Sequence, residues 1–512
     1  MLIGAASAAI VLWQNARLAI LWDVSYVLEN AARIAAGDVP YRDFPFPYAP
    51  LTFVVQAAII RVFGGVVWHH IVYAAAACGV ATAITFFVVR RFVPRATAVF
   101  LTLPLVLLGI YCIVPNPFYD PDACLAVVAV IAMLGARCAP LPVGALCILP
   151  LFVKQNIGLA FVAALIVIVV AERRWRVLAG LAIGAAVALA LVAAIFGLHN
   201  YATWTLTYAA ARRLPPLSMM LGVYGDPIVW CGIAVVLLSF VPRLRWLLVV
   251  PWLFILVRFF VSDDPNEREI NLLRVWPMIL VVAAIAIVVL WRREEPMLRS
   301  LPLLAMAAIH GAFLSQQTWG STYGIWPLYV ILLAFVFRAA KATPAMAAIV
   351  AAVTILSAWH YLRIEGRLQY AKWNEGEMQT SSLPALRGLR VRGEWLPEFD
   401  ELVAWTDAHV PRGDGILFIP GEDLFYFATG RRPQFPVLMF DRTINPYSPA
   451  QIAAIAEQRG IRWFIVKRRL QVNGTPYPEL GDAIHLLSAR YHPAAFLRNY
   501  VVWVSGKPGI RF

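Results

Sequence analysis

The chain has 512 residues, 61% hydrophobic and 14% charged, whereas a water-soluble domain averages about 45–50% apolar and about 25% charged residues. That composition excludes a wholly soluble fold. The net charge of +14 rests mainly on arginines in short segments between apolar runs, a membrane-protein pattern that argues against a nucleic-acid partner.

Residues 1–361 form a succession of apolar runs, each close to the length of about 20 residues that spans a bilayer core. Met1–Trp22 lacks a basic leader and a small-residue cleavage site, so it reads as a first transmembrane helix. Basic clusters follow at Arg90, Arg91 and Arg95; Arg137; Arg173, Arg174 and Arg176; Arg243 and Arg245; Arg292, Arg293 and Arg299; and Arg338 with Lys341. Positive-inside placement of every cluster requires pairs of spans between them. The spans expected are 67–89, 95–113, 123–137, 139–153, 157–171, 177–198, 226–241, 246–261, 274–291, 301–316, 322–338 and 344–361. With the first helix the expectation is about thirteen, with the N-terminus cytoplasmic and the C-terminus outside. The pair 139–153 and 157–171 is short, which suits tilt or re-entry. The six cysteines show no CxxC spacing, so neither a disulfide framework nor a metal site is expected from them.

Two outer loops are expected, residues 22–66 and 114–122. Val24–Ala36 and Pro50–Phe63 carry apolar residues at helical spacing and read as helices along the membrane surface. Asp23 stands at the outer end of the first span, and Asp120 and Asp122 stand in the second loop. Carboxylates at a membrane boundary are costly and usually functional, and a partly desolvated one suits a general base. Asp23 also suits the N-cap of the following helix, and Asp120 and Asp122 also suit turn and capping roles beside Pro121.

Cations accompany these acids. Lys154 lies between two apolar runs on the face that the charge bias leaves poor in cations, while Arg212, Arg213, Arg258 and Arg274 border later outer loops. Snorkelling explains an isolated lysine; a phosphate group explains it as well. The combined chemistry is that of a carboxylate base, an acceptor hydroxyl, and cations that receive a departing phosphate.

The stretch Asp23–Phe44, ending Gly-Asp-Val-Pro-Tyr-Arg-Asp-Phe, then Tyr48-Ala-Pro-Leu and Val62-Phe-Gly, resembles the first outer loop of the GT-C glycosyltransferases. It is most similar to bacterial relatives of the protein O-mannosyltransferases and the lipid A aminoarabinose transferase. Asp120-Pro-Asp122 and Lys154-Gln-Asn also resemble the family, and the likeness covers residues 1–175. Ala49 where relatives often carry a second proline, and His69 and His70 where they commonly carry an arginine, are departures.

The resemblance implies a transmembrane GT-C-like domain and an inverting transfer of sugar from a polyprenyl-phosphate donor. The acceptor is left open among protein, lipid and glycan. It implies Asp23 as the catalytic acidic residue, Asp120 or Asp122 as the second, and Lys154 at the carrier phosphate. Tyr41, Arg42 and Asp43, in the turn that carries the resemblance, are expected at the substrate. The family includes metal-dependent and metal-independent enzymes, so a divalent metal stays open; no ligand cluster in the sequence asks for one. The arginine-rich composition suits a bacterial plasma membrane.

Residues 362–397 read as a linker and 398–512 as a small extracytoplasmic α/β domain. Strands are expected at Ile416–Pro420, Val437–Phe440, Ile461–Val466 and Tyr500–Val504, with helices at 398–410, Gly421–Ala428 and Ser448–Arg459. The domain has no phosphate loop or nucleophile elbow. Arg431 and Arg432 suit contact with an anionic acceptor but are expected on its solvated surface. A transporter or flippase would show internal repeats, and none is visible between the halves of the membrane region. A non-catalytic scaffold on the same fold is opposed only by the retained acids and Lys154.

Overall fold

The computed structural model describes residues 1–17, 21–315, 320–364, 376–441, 443–471 and 478–506. It is mostly helical, with a small sheet near the C-terminus. The first half contains α1 (Leu2–Asn15), α2 (Leu21–Ala35), α3 (Leu51–Phe63), α4 (Val67–Val89), α5 (Arg95–Thr102), α6 (Leu105–Leu108), α7 (Tyr119–Gly135), α8 (Pro140–Leu146), α9 (Leu149–Val153), α10 (Gln155–Ala171) and α11 (Trp175–Ile195).

Among the described residues, five segments are long and apolar enough to cross a membrane: α4, α11, Pro242–Val261, Pro265–Leu290 and Pro344–Ile364. Other apolar helices, including α1, α10 and Trp326–Ala339, are shorter. The expected run 95–113 divides where Pro104 caps α6, because proline lacks the amide that would continue the helix. The run 139–153 divides into α8 and α9. Close packing of α8 on α11 depends on small residues: a Cβ on Gly180 would strike the Leu141 carbonyl, and one on Gly144 the Val177 carbonyl.

The C-terminal region has β1 (Met378–Gln379), β2 (Val391–Arg392), β3 (Gly415–Ile419), β4 (Ile461–Lys467), β5 (Tyr491–Phe496) and β6 (Tyr500–Ser505). A four-stranded sheet runs in the order β3-β4-β6-β5, with β3 parallel to β4 and the other pairs antiparallel. Ser448 caps the helix Pro449–Gln458 in a reciprocal box with Gln451. Val437–Phe440, expected as a strand, is buried but irregular. Where a linker was expected, β1 pairs with β2 around a 3₁₀ turn at Pro384–Leu386; residues 365–375 and 507–512 lie outside the described residues.

Helix α2 corrects the surface-helix expectation. Its residues from Val24 to Ala31 are all buried within the protein. Tyr26, Phe46 and Phe53 of the first loop share one apolar core with Trp395, Leu396 and Phe425. Glu29 accepts from the backbone amides of Tyr426 (2.8 Å) and Phe427 (3.2 Å). Arg33 bonds Asp38 at 2.7 Å and the Pro436 carbonyl at 2.8 Å. The sheet domain is thus bolted to the loop that carries Asp23.

Candidate active site

Asp23 was expected to end the first span. It lies instead in the first turn of α2, two residues past that helix's start, and is half-buried. The C-terminal domain grips α2 on both sides of it. The Leu21 amide donates to Gln471 Oε1 at 2.8 Å, and the Ser25 hydroxyl donates to the carbonyls of Gly421 (2.8 Å) and Asp423 (2.9 Å).

Asp120 and Asp122 both fall in the first turn of α7, where the helix dipole favours acids. Both are buried, but their surroundings differ. Asp122 accepts from Thr52 (2.7 Å), Tyr73 (2.8 Å) and the Tyr111 hydroxyl; three hydroxyls from three elements use its lone pairs to tie the loops together. Asp120 instead forms an ion pair with Lys154.

Lys154 sits at the extended break between α9 and α10, with φ −146° and ψ 113°. Its Nζ also donates to Ser321 Oγ at 2.9 Å and stands 4.8 Å from the centroid of the Tyr119 ring. The charges of Asp120, Arg213 and Asp23 all act on this ammonium. Its neighbour Gln155 holds the first loop, accepting from the Ala49 amide (3.1 Å) and donating to the Pro47 carbonyl (2.9 Å).

Arg213 ends a short helix, Ala209–Arg213. It donates to the Tyr48 hydroxyl and lies 4.2 Å over the Tyr48 ring. Tyr48 packs against Tyr119 with centroids 4.6 Å apart. Burial raises the pKa of the Tyr48 hydroxyl, against the pull of the Arg213 guanidinium, so the phenol stays neutral. Lys154, Tyr119, Tyr48 and Arg213 therefore form a continuous cationic and aromatic strip, with Asp120 and Asp23 in electrostatic range.

Of the remaining expected residues, the arginines bond elsewhere and Tyr41 supports the strip from behind, through the Tyr48 backbone. Arg212 donates to the Asn445 carbonyl at 3.2 Å and stacks over Tyr208. Arg258 pairs with Glu267, and Arg274 with Asp226 at 2.6 Å. Tyr41, at φ 67°, donates its hydroxyl to the Tyr48 carbonyl at 2.6 Å, while Asp43 pairs with exposed Arg42 and accepts from the Val39 amide at 2.7 Å. These three build the turn that presents Tyr48. Arg431, expected on the solvated surface, is buried and donates to the Val410 carbonyl at 2.8 Å at the end of helix Trp395–His409. Arg432 is exposed but pairs with Asp38.

Sequence reasoning missed Ser321, Tyr48, Tyr119 and Tyr26. Tyr26 is buried in van der Waals reach of the strip, 5.0 Å from Tyr48 between centroids, and its hydroxyl has no hydrogen-bond partner among the described residues. Its signal was a tyrosine three residues after Asp23, on the helix face that also carries Glu29 and Asn30. Among the described residues no three His, Cys, Asp or Glu side chains cluster as metal ligands.

No family model matches the chain, and none of the curated proteins matches it in sequence. Solved structures match it in shape. ArnT from Cupriavidus metallidurans bound to undecaprenyl phosphate is similar at TM-score 0.51 and 13% identity, over 100% of this chain and 99% of that one. The apo state of that protein is similar at TM-score 0.50 and 13% identity, over 98% and 97%. The archaeal oligosaccharyltransferase AglB from Archaeoglobus fulgidus, in complex with an inhibitory peptide and a dolichol-phosphate, is similar at TM-score 0.50 and 10% identity, over 99% and 74%. At such identities the likeness is one of architecture, and it extends through both the helical region and the C-terminal sheet: this chain shares the fold of ArnT and AglB.

Proposed function

We propose that the protein transfers a sugar from a polyprenyl-phosphate donor to an acceptor hydroxyl, with inversion, at the outer boundary of a bacterial plasma membrane. The observation that carries this reading is the buried Lys154, held between Asp120 and an aromatic floor, with Arg213 and Asp23 acting on it. Two proteins of the same fold hold a polyprenyl phosphate, undecaprenyl in one and dolichol in the other.

Asp23 takes the proton of the acceptor hydroxyl. The acceptor oxygen attacks the anomeric carbon, the bond from that carbon to the phosphate oxygen breaks, and the electron pair leaves with the carrier phosphate. Lys154 and Arg213 stabilise the charge that develops on that phosphate. Asp120 holds the Lys154 ammonium in position. Tyr48 and Tyr119 provide faces for a sugar ring or an isoprenoid unit. The protein crosses the membrane about thirteen times in this reading, N-terminus cytoplasmic and C-terminal domain outside, as the charge bias requires.

The test offers purified wild type and Asp23→Asn a panel of polyprenyl-phosphate sugars and follows free carrier phosphate by mass spectrometry. Wild type should consume one donor class, and the variant should be slower by about 10²–10⁴-fold, the usual contribution of a general base. Full activity in the variant would remove Asp23 from that role. A panel left wholly unbound by wild type would overturn the transferase reading.

A further inference from the structure

The same helices that carry the site carry a second feature at their other ends. Asp120 and Asp122 begin α7, and Arg137 follows its last residue; Lys154 precedes α10, and Arg173, Arg174 and Arg176 follow it. Each helix has 17 residues, about 25 Å at 1.5 Å per residue, close to the thickness of a bilayer core of about 30 Å. The four arginines converge there on one cleft of about 600 Å³ with Leu134 and Val143 in its wall, within the roughly 300–1,000 Å³ that holds small-molecule ligands.

The wall is apolar and the rim is cationic. Arg137 pairs with Glu295 at 2.5 Å and Arg174 with Glu172 at 3.4 Å. Arg173 and Arg176 are exposed and make no ion pair among the described residues. Trp175, between them in sequence, is exposed at the start of α11, where tryptophan marks a headgroup layer. Helix α11 leaves most of its apolar side chains uncovered by protein, Ile183, Val187, Leu191 and Ile195 among them, and so offers a lipid-contacting wall beside the cleft.

We infer that this cleft binds the headgroup of an anionic phospholipid, in the leaflet opposite the Lys154 site. Arg173 and Arg176 hold the phosphodiester by charge-assisted bonds, and the acyl chains run along α11. A general excess of positive charge would draw anionic lipid to every basic loop alike; a shaped cleft makes one loop dominate. The inference needs only that the two ends of α7 and α10 lie in opposite leaflets, and it does not depend on the transfer reaction.

The experiment titrates the full-length, delipidated protein in detergent with phosphatidylglycerol and counts bound lipids by native mass spectrometry. R173Q/R176Q should bind the tightest phosphatidylglycerol about 25-fold more weakly, two arginines at about a factor of five each. R243Q/R245Q, which removes the same charge from another basic loop, should leave that lipid in place. Equal weakening in both double variants overturns the cleft, as does equal retention of phosphatidylcholine by wild type. Displacement of the lipid by millimolar inorganic phosphate would show a soluble-anion site and overturn the lipid assignment. If the double variant does not fold, the single variants R173Q and R176Q carry the same comparison.

Discussion

Among the described residues two lysines are buried, each beside carboxylates, and their settings differ. Lys467 of β4 is fully buried and contacts Glu422 at 2.9 Å and Asp423 at 2.8 Å. The Trp395 Nε1 and the Tyr500 hydroxyl satisfy Asp423, and the Gln471 amide satisfies Glu422. Burial opposes the Lys467 charge, but Asp423 and Glu422 outweigh it and raise its pKa. Lys154 has one direct carboxylate, a serine hydroxyl and a ring face, with a second cation in range. The first cluster is closed, with more anion than cation. The second pairs two cations with two acids spread over separate elements, the arrangement that an arriving phosphate can join. Residue types alone do not separate structural from functional buried charge; the supply of partners does.

The largest effect that would break this comparison is on stability. Lys467→Met leaves two buried carboxylates without their cation and should cost about 3–5 kcal/mol, read as a loss of folded C-terminal domain in thermal unfolding. A change within noise would mean the cluster is not closed. Lys154→Met should weaken donor binding about tenfold to a hundredfold, the range for a charged hydrogen bond of about 1.5–3 kcal/mol. It also strands Asp120, so Lys154→Met with Asp120→Asn should regain stability without regaining affinity for a polyprenyl phosphate, measured by titration. Recovery of both would make the pair purely structural.

Gln471→Ala tests the connection between the two clusters. Gln471 receives the Leu21 amide and gives its own to Glu422, so it couples the closed cluster to the turn that carries Asp23. Its loss should cost about 0.5–1.5 kcal/mol, seen as a fall of a few-fold in kcat with donor affinity unchanged. A shift in donor affinity instead would assign Gln471 to the lipid site.

Much of this could be read from the residues, for physical reasons that also explain the misses. Long apolar runs and arginine clusters locate α4, α7, α10 and α11 because length and charge act within one segment. The division at Pro104 and the one between α8 and α9 shorten segments that hydropathy reads as whole spans. Asp120 and Lys154 were visible because isolated charges in apolar sequence are costly. Ser321 was not, since nothing local in Gly-Ser-Thr foretells a partner 167 positions away. In the C-terminal domain, β5 carries a proline and is only partly buried, so it lacks the alternation that reveals β6. Val437–Phe440 has the composition of a strand, but the nearby Pro436 carbonyl is committed to Arg33 and the segment folds over the core instead. Burial of α2 is likewise a tertiary matter: its amphipathic pattern suits a lipid surface and a protein surface equally.

The smallest expected effect concerns how firmly that surface is held. Burial of Asp38 opposes its charge, but Arg33 and Arg432 outweigh it and hold its pKa below the ordinary carboxylate value. A depressed folded pKa contributes stability that is complete above the unfolded value of about 3.9 and is lost as pH falls through the folded value. The contact between residues 33–38 and 431–436 should therefore be constant from pH 7 to about pH 5 and loosen only below about pH 4. Asp38→Asn should loosen it throughout the range above about pH 4 and remove the acid step. Hydrogen exchange in residues 431–436 reads both. A step near neutral pH in the wild type would mean that another group governs the contact, and an unchanged step in the variant would remove Asp38 from it.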